Sequence, residues 1–166
     1  MPRYLYLLRH AQSADKQVGQ TDKERELTPS GMKQSIRIAG FLLQQKTFPD
    51  IVFCSSAERA KSTANFLVDV LKLRADQLVV IDELYEASIR TLLQTVAQFE
   101  DNLHHVLCVA HNPGLSYFAE YLTKSEVGEL VPAGMAIIQL NINSWRDVDG
   151  AEGVLINHID PDKITY

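Results

Sequence analysis

The alternation of short apolar runs with helical patterns is the feature that most limits how this chain can fold. Runs rich in β-branched or aromatic residues occur at 4–8, 51–54, 78–81, 105–110, 136–142 and 153–159. Patterns with helical spacing fill most of the gaps between the earlier runs. Strands that alternate with helices form parallel sheets covered on both faces. The sequence therefore predicts an α/β protein, a three-layer α/β/α sandwich around a mostly parallel central sheet.

Four helices are predicted from capping residues and apolar spacing. The first follows Thr28 as N-cap, and the second begins at the capping-box spacing of Ser55 and Glu58. The third covers 88–100, and the fourth follows Asn112 as N-cap. The apolar residues expected to face the core are Met32, Ile36, Ala39, Leu43, Ala60, Ala64, Leu67, Leu71, Leu92, Val96 and Phe99.

Length and composition favour one globular domain spanning residues 1–166. A chain of 166 residues that is 46% apolar can bury a core without metal ions or disulfides. Cys54 and Cys108 lie in apolar runs, where we expect reduced, buried thiols. The net charge of -5 argues against nucleic-acid or anionic-membrane binding, so any anion site must be local. With no secretory signal and no membrane-spanning run, we expect a cytoplasmic protein.

Polar residues with strong chemistry stand where the predicted strands end. Arg9 and His10 end the first apolar run, and His111 ends the run at 105–110. Arg59 falls in the first turn of the helix after the second run. Because ligands bind at the carboxyl ends of parallel strands, these side chains are expected to share one site. Each alone has an ordinary structural explanation, but together they favour a site.

Two arginines and two histidines at one sheet edge are suited to binding and transferring a phosphoryl group. The planar guanidinium of arginine matches phosphate oxygens and stays charged, and helix N-termini add amide donors. A neutral imidazole is a nucleophile near pH 7, so one histidine can attack phosphorus while the second, protonated, stabilises charge on the oxygens. The expected intermediate is a phosphohistidine that water later hydrolyses.

Four segments resemble, in order, the motifs of the histidine phosphatase superfamily, which has the phosphoglycerate mutase-like fold. LLRHAQS at 7–13 resembles the R-H-G signature, and RELTPSGMKQS at 25–35 resembles the L-T-x-x-G start of the following helix. CSSAERAKSTA at 54–64 resembles S-x-x-x-R-A-x-x-T-A, and VAHNPGLS at 109–116 resembles V-x-H-x-P. Because they keep the family order over most of the chain, the sequence is identified as a member.

This resemblance implies roles for individual residues. His10 is implied to be the phosphorylated nucleophile, with Arg9, Arg59 and His111 completing the phosphate pocket. Ser13, which closes the first segment, is a further candidate for substrate binding. The family needs no metal ion, and no cofactor is expected. Where the family signature has glycine after the R-H pair this chain has alanine, a small change with modest expected consequences.

The short chain and its LYEAS segment resemble most the small branch of SixA-like phosphohistidine phosphatases. The general acid is an open choice between Glu86, which fits an L-x-E context, and the nearby Glu83. The substrate is expected to be a phosphorylated protein, with a small phosphorylated metabolite as the alternative. Without long inserted loops the pocket should be open, and the polar loop at 15–26 either borders its mouth or is simply solvated.

Other functions fit the sequence less well. A cysteine phosphatase would need C-x5-R, but only four residues separate Cys54 from Arg59. A zinc site is suggested by His104 and His105, yet adjacent strand residues point to opposite faces. A phosphate-binding domain without turnover is opposed by the intact pocket residues. A mutase would need to exclude water from its phosphoenzyme. The chain lacks the long inserted loops that would cover the pocket for this purpose.

Overall fold

A mixed sheet of six strands forms the centre of the computed structural model, which describes residues 1–165. The strands are β1 (Arg3–Arg9), β2 (Ile51–Cys54), β3 (Leu78–Val80), β4 (His105–Ala110), β5 (Met135–Leu140) and β6 (Gly153–Ile159). Their order across the sheet is β3-β2-β4-β1-β5-β6. The first four strands along the chain pair in parallel, whereas β5 runs antiparallel to both β1 and β6. The predicted α/β class with a mostly parallel sheet is confirmed.

Helices cover both faces of this sheet. The α-helices in the described residues are α1 (Pro29–Gln44), α2 (Glu58–Leu71), α3 (Ile89–Val96) and α4 (Gly114–Thr123). Leu5 and Leu7 of β1 pack with residues of α3 and α4, whereas Tyr6 and Leu8 pack with residues of α1 and α2. Alternate strand residues point to opposite faces, so two cores lie on either side of the sheet. The predicted three-layer arrangement is therefore present.

The inward face of α1 differs from the predicted one. Met32, Ile36 and Leu43 are 44%, 47% and 44% exposed, whereas Ile38 and Leu42 are buried. The start of α1 determines which side of the helix faces the core, because an added Cβ at Gly31 would lie 2.1 Å from the Gln12 carbonyl oxygen. The small residues Gly31 and Ser35 therefore turn inward and carry Ile38 and Leu42 with them. Ala39 is the one member of the predicted stripe that is buried.

Helix ends also depart from the predicted ones in part. Thr28 is the N-cap of α1, and its hydroxyl accepts from Gly31 N at 3.0 Å. The predicted capping box of α2 is wrong, because α2 follows Ala57 and the Ser55 hydroxyl is used elsewhere. The third helix ends at Val96 instead of near 100.

The other predicted helix faces are correct. The apolar stripes of α2 and α3 are buried as predicted, including Phe99, which lies beyond the end of α3. The fourth helix has Pro113 at its N-cap position, one residue after the predicted Asn112. The Asn112 Oδ1 atom still accepts from Ser116 N at 3.3 Å and so satisfies one amide of the first turn. Across residues 1–165, no helix has both the length and the apolar character needed to cross a membrane.

Candidate active site

Three neighbouring strand ends bring four predicted residues together. Arg9 is the last residue of β1 and His10 follows it, while His111 follows β4. Arg59 lies in the first turn of α2, directly after β2. Because β4 lies between β1 and β2, the carboxyl ends of these three strands are adjacent. The four residues, here called the His10 cluster, are therefore neighbours as the sequence predicts.

The hydrogen bonds of His10 decide which of its ring nitrogens carries a free lone pair. Nδ1 lies 2.8 Å from the main-chain oxygen of Ala11. Since a carbonyl oxygen only accepts, Nδ1 must carry the proton, and Nε2 is the unprotonated nitrogen. Arg59 Nε donates to this Nε2 at 3.3 Å. His10 thus presents a nucleophilic nitrogen directly to the guanidinium of Arg59.

Burial and positive neighbours keep the His10 ring neutral. Burial has the largest effect and lowers the pKa of His10, and the positive charges of Arg59 and Arg9 lower it further. The hydrogen bond to Ala11 acts in the opposite direction and raises it. Together they lower the pKa of His10 from 6.5 to about 4. A ring that is neutral at physiological pH is available as a nucleophile without a separate base.

His111 lies beside His10, with 5.0 Å between the ring centroids. Its Nε2 is 2.7 Å from the Ser55 hydroxyl oxygen. Burial, followed by the proximity of His10 and Arg59, lowers the pKa of His111 to about 3. Without a bound phosphoryl group, the His111 ring is therefore neutral near pH 7. A phosphoryl dianion beside the ring would favour its protonated form.

Two buried polar atoms of the His10 cluster lack hydrogen-bond partners in the described part of the chain. They are Nε of Arg9 and Nδ1 of His111. Arg9 is otherwise held by a 2.9 Å bond from Nη1 to the Leu130 main-chain oxygen, with Glu129 at 3.9 Å. Buried polar atoms are almost always paired, so these two atoms are available to hydrogen-bond a ligand in the pocket. An oxyanion is the ligand that suits a cationic donor such as Arg9.

Asp22 is a member of the site that the sequence did not single out. Its carboxylate accepts from the Tyr85 hydroxyl, from Arg59 Nη2 at 2.9 Å and from Arg25 Nη1 at 3.1 Å. These donors, the Tyr85 hydroxyl above all, hold the pKa of Asp22 well below its usual value. Within the loop at 15–26, nothing in the sequence distinguishes Asp22 from the other acidic residues, so its role could not have been predicted. The interpretation of this loop as solvated is wrong at Asp22.

Ser13, Glu86 and Glu83 are the remaining candidate residues from the sequence. The Ser13 hydroxyl accepts from Arg25 Nη2 at 2.9 Å, so it is tied to the Asp22 loop. Glu86 is exposed and lines a cavity of about 390 Å³ together with His111 and Tyr117. Glu83 lines a different cavity, between β3 and α3. Of the two glutamates, Glu86 is the one beside the His10 cluster.

The alternative chemistries find little support in the geometry. Burial raises the pKa of the Cys54 thiol to about 11, so this cysteine is not a thiolate nucleophile near neutral pH. The main-chain amides of His104 and His105 both donate to Asp50 Oδ2, at 2.8 Å each, which explains the junction before β4. Within residues 1–165, no group of three or more His, Cys, Asp or Glu side chains could hold a metal ion.

Comparison with known sequences connects this geometry to a family. The sequence model of the histidine phosphatase superfamily (branch 1) matches residues 5–95, more than half of the chain. The chain belongs to the histidine phosphatase superfamily. The matched range contains Arg9, His10 and Arg59, whereas His111 lies outside it and is assigned by position alone. Membership confirms the enzyme class predicted from the sequence, that of a phosphatase.

Relatives of this histidine phosphatase span nearly its whole length. An uncharacterized protein of Mycobacterium tuberculosis (strain H37Rv) is 29% identical over 160 residues, covering 90% of this chain and 96% of the relative. A protein from Nakamurella multipartitia, named as a candidate phosphohistidine phosphatase SixA, is 24% identical with a TM-score of 0.83 and covers 97% of both chains. The protein histidine phosphatase SixA complexed with tungstate is 22% identical with a TM-score of 0.82, covering 96% of this chain and 97% of that one. These structures establish the shared fold.

The charge state of His10 gives a first prediction. An NMR titration of the His10 imidazole should show a midpoint near pH 4, because burial and two arginines oppose its protonation. The unfolded chain, with a histidine pKa of about 6.5, then binds more protons than the folded one between these values. The free energy of unfolding should therefore decrease as pH falls below about 6.5. A midpoint near 6.5 in the folded protein, assigned with a His10→Gln variant, would contradict this description of the pocket.

Proposed function

We propose that this protein removes phosphoryl groups from phosphohistidine side chains of proteins, without a metal ion, through a phosphohistidine formed on His10. The observation that carries the proposal is the orientation of His10, whose Nδ1 is bound to the Ala11 carbonyl and whose Nε2 faces Arg59. That orientation supplies a neutral nucleophile beside a fixed cation. Arg9 and His111 contribute the unpaired buried atoms that a phosphoryl oxygen can complete.

The reaction has two steps in this proposal. In the first, Arg59 Nε moves its hydrogen bond from His10 Nε2 to a phosphoryl oxygen, and the freed lone pair of Nε2 forms a bond to phosphorus as the bond from phosphorus to the substrate nitrogen breaks. The departing imidazole keeps that electron pair and takes up a proton, while Arg9, Arg59 and His111 bind the phosphoryl oxygens. In the second, water attacks phosphorus, loses a proton and releases inorganic phosphate. His10 Nε2 regains its lone pair.

The surroundings of the His10 cluster support a phosphorylated side chain as substrate, with a leaving group that needs little help from a general acid. Among the described residues, no hydrogen bond holds the Glu86 carboxylate, although it lines the cavity beside His111. An alkoxide leaving group needs a well-placed acid, whereas the phosphorus–nitrogen bond of phosphohistidine breaks more easily. Pro113 and the exposed ring of Tyr117 give the same cavity partly apolar walls that suit an imidazole. Structural likeness to SixA proteins also supports this substrate.

A small phosphomonoester is the second candidate, and the position of Glu86 favours it. The carboxyl group of Glu86 lines the same cavity as His111. Such a group could donate the proton that an alcohol needs on leaving. The two candidates therefore differ in how strongly turnover depends on Glu86.

The test compares a phosphohistidine-bearing protein with an aryl phosphate, in the presence of a chelator. We expect hydrolysis of both, with Glu86→Gln reducing ester hydrolysis by about 10-fold or more and phosphohistidine hydrolysis by less than about 3-fold. The matched control is Glu83→Gln, which alters a neighbouring exposed glutamate outside the cavity and should leave both rates unchanged.

Other outcomes of this test would contradict particular parts of the proposal. Hydrolysis of the aryl ester alone would replace the phosphohistidine proposal with the small-molecule one. Equal losses on both substrates in Glu86→Gln would contradict the leaving-group argument. Activity that the chelator removes would contradict metal independence. Inactivity towards both substrates would favour a phosphate-binding domain without turnover.

A further inference from the structure

We propose that Asp22 is a positioning residue, which holds the Arg59 guanidinium so that its Nε side faces His10 and the phosphoryl group. The inference rests on the proposed function for its catalytic consequence, although its effect on anion binding can be measured separately. It assigns a role in the site to the loop at 15–26, which connects β1 to α1.

The two binding edges of the Arg59 guanidinium are divided between Asp22 and His10. Nη1 donates to the main-chain oxygen of Asp22 at 2.7 Å, and Nη2 donates to its Oδ2 at 2.9 Å. Nη1 and Nη2 are the two terminal nitrogens of the guanidinium, so Asp22 binds its end edge. Nε donates to His10 Nε2 at 3.3 Å, which places the side edge over the nucleophile. A phosphoryl group on His10 would meet that side edge, where Nε and Nη2 form a second fork for two oxygens.

Burial makes this partnership necessary. The Arg59 side chain is 5% exposed, whereas that of Asp22 is 39% exposed. A buried cation needs a paired and hydrogen-bonded counter-charge, because solvent cannot provide one. Asp22 supplies that charge from the solvent side. Without it, the guanidinium would turn toward water or toward other acceptors, and Nε would lose its alignment with His10.

Asp22 is itself fixed by groups on other elements. The Tyr85 hydroxyl donates to the same Oδ2 that binds Arg59, and Arg25 Nη1 donates to Oδ1 at 3.1 Å. Arg25 is in turn bound to the Ala14 main-chain oxygen at 2.9 Å and to the Ser13 hydroxyl at 2.9 Å. Ser13 is therefore connected to Arg59 through Arg25 and Asp22. A loop held at this many points can fix the direction of the guanidinium.

The opposite role, in which Asp22 competes with the phosphoryl group for Arg59, makes the opposite prediction. If the carboxylate occupied the phosphoryl-binding edge, its removal would free Arg59 and tighten anion binding. Nε, which belongs to the side edge, donates to His10 and not to Asp22. We therefore expect anion binding to weaken when Asp22 is changed.

The experiment uses tungstate as a tetrahedral oxyanion probe, together with turnover on an aryl phosphate. Asp22→Asn keeps the size and the acceptor oxygen and should weaken tungstate binding and lower kcat/KM by about 10-fold, whereas Asp22→Ala should cause losses of about 100-fold. The Arg59 Nε–H resonance should broaden or shift in both variants. Asp76→Asn is the matched control, because Asp76 pairs with Arg74 at an exposed site away from the cluster.

A double-variant comparison separates positioning from a general structural effect. In an Arg59→Ala background, adding Asp22→Asn should cause no further loss of binding or turnover, since Asp22 acts only through Arg59. An undiminished loss in that background would overturn the inference, as would unchanged or tighter tungstate binding in Asp22→Ala. If the unaltered protein binds tungstate but hydrolyses neither substrate, the proposed function fails, while the binding and NMR measurements still decide the role of Asp22.

Discussion

Replacing His10 with alanine is expected to reduce turnover by about 10⁴-fold or more, because it removes the only group proposed to attack phosphorus. The remaining arginines could still bind the phosphoryl group, but water would have to attack it directly. Rapid quenching with labelled substrate should trap an acid-labile phosphoenzyme from the unaltered protein and none from His10→Ala. Tungstate should still bind to the variant, since Arg9 and Arg59 remain.

The control for this change is His158→Ala, which removes an exposed histidine of β6. We expect this variant to keep full turnover and to form the phosphoenzyme. Unchanged turnover in His10→Ala, or a phosphoenzyme that still forms, would exclude His10 as the nucleophile. Circular dichroism would show that the fold survives both substitutions.

Replacing Gly31 with alanine is expected to lower the free energy of unfolding by about 3 kcal/mol or more. In an ordinary helix this change stabilises by about 1 kcal/mol. Here the new Cβ would lie 2.1 Å from the Gln12 carbonyl oxygen, a distance that no real contact allows. That oxygen is held in place because it accepts from Thr28 N at 3.0 Å.

Denaturant unfolding of Gly31→Ala, beside Ser30→Ala as control, measures this effect. Ser30 is exposed in the same first turn of α1, so its replacement should change stability little. Turnover should also fall in Gly31→Ala, since Gln12 lies two residues after His10 and must shift. A variant as stable as the unaltered protein would mean that α1 can move away from the strand end without cost.

The sequence predicts the His10 cluster well because strand ends are a strong signal. Apolar runs show where β1, β2 and β4 end, and parallel strands bring these ends to one edge. His10 and His111 could therefore be placed together although 100 residues separate them in the chain. The antiparallel direction of β5 could not be predicted, because an apolar run does not indicate the direction of its strand.

The errors arise where a tertiary contact decides between equivalent local patterns. Apolar residues lie on several sides of α1, and its register is decided by the approach of Gly31 to Gln12. Ser55 has the spacing of a capping box, but its hydroxyl binds His111 Nε2 instead. Asp22 becomes a partner of Arg59 through a fold that joins residues 37 positions apart. Local sequence propensity indicates none of these contacts.

The contact between Arg9 and Leu130 has a consequence for when the pocket becomes complete during synthesis. These residues are separated by 121 positions, and the Leu130 main-chain oxygen also accepts from Asn112 Nδ2 at 2.8 Å. Met135, the first residue of β5, pairs with Leu8 near the end of β1, so the segment before β5 that contains Leu130 lies at the pocket edge of the sheet. Contacts between residues far apart in the chain slow folding, because a long loop must close before they form. The nascent chain therefore carries His10 and both arginines long before Leu130 is available, and the side chain of Arg9 can be held in place only once that residue has left the ribosome.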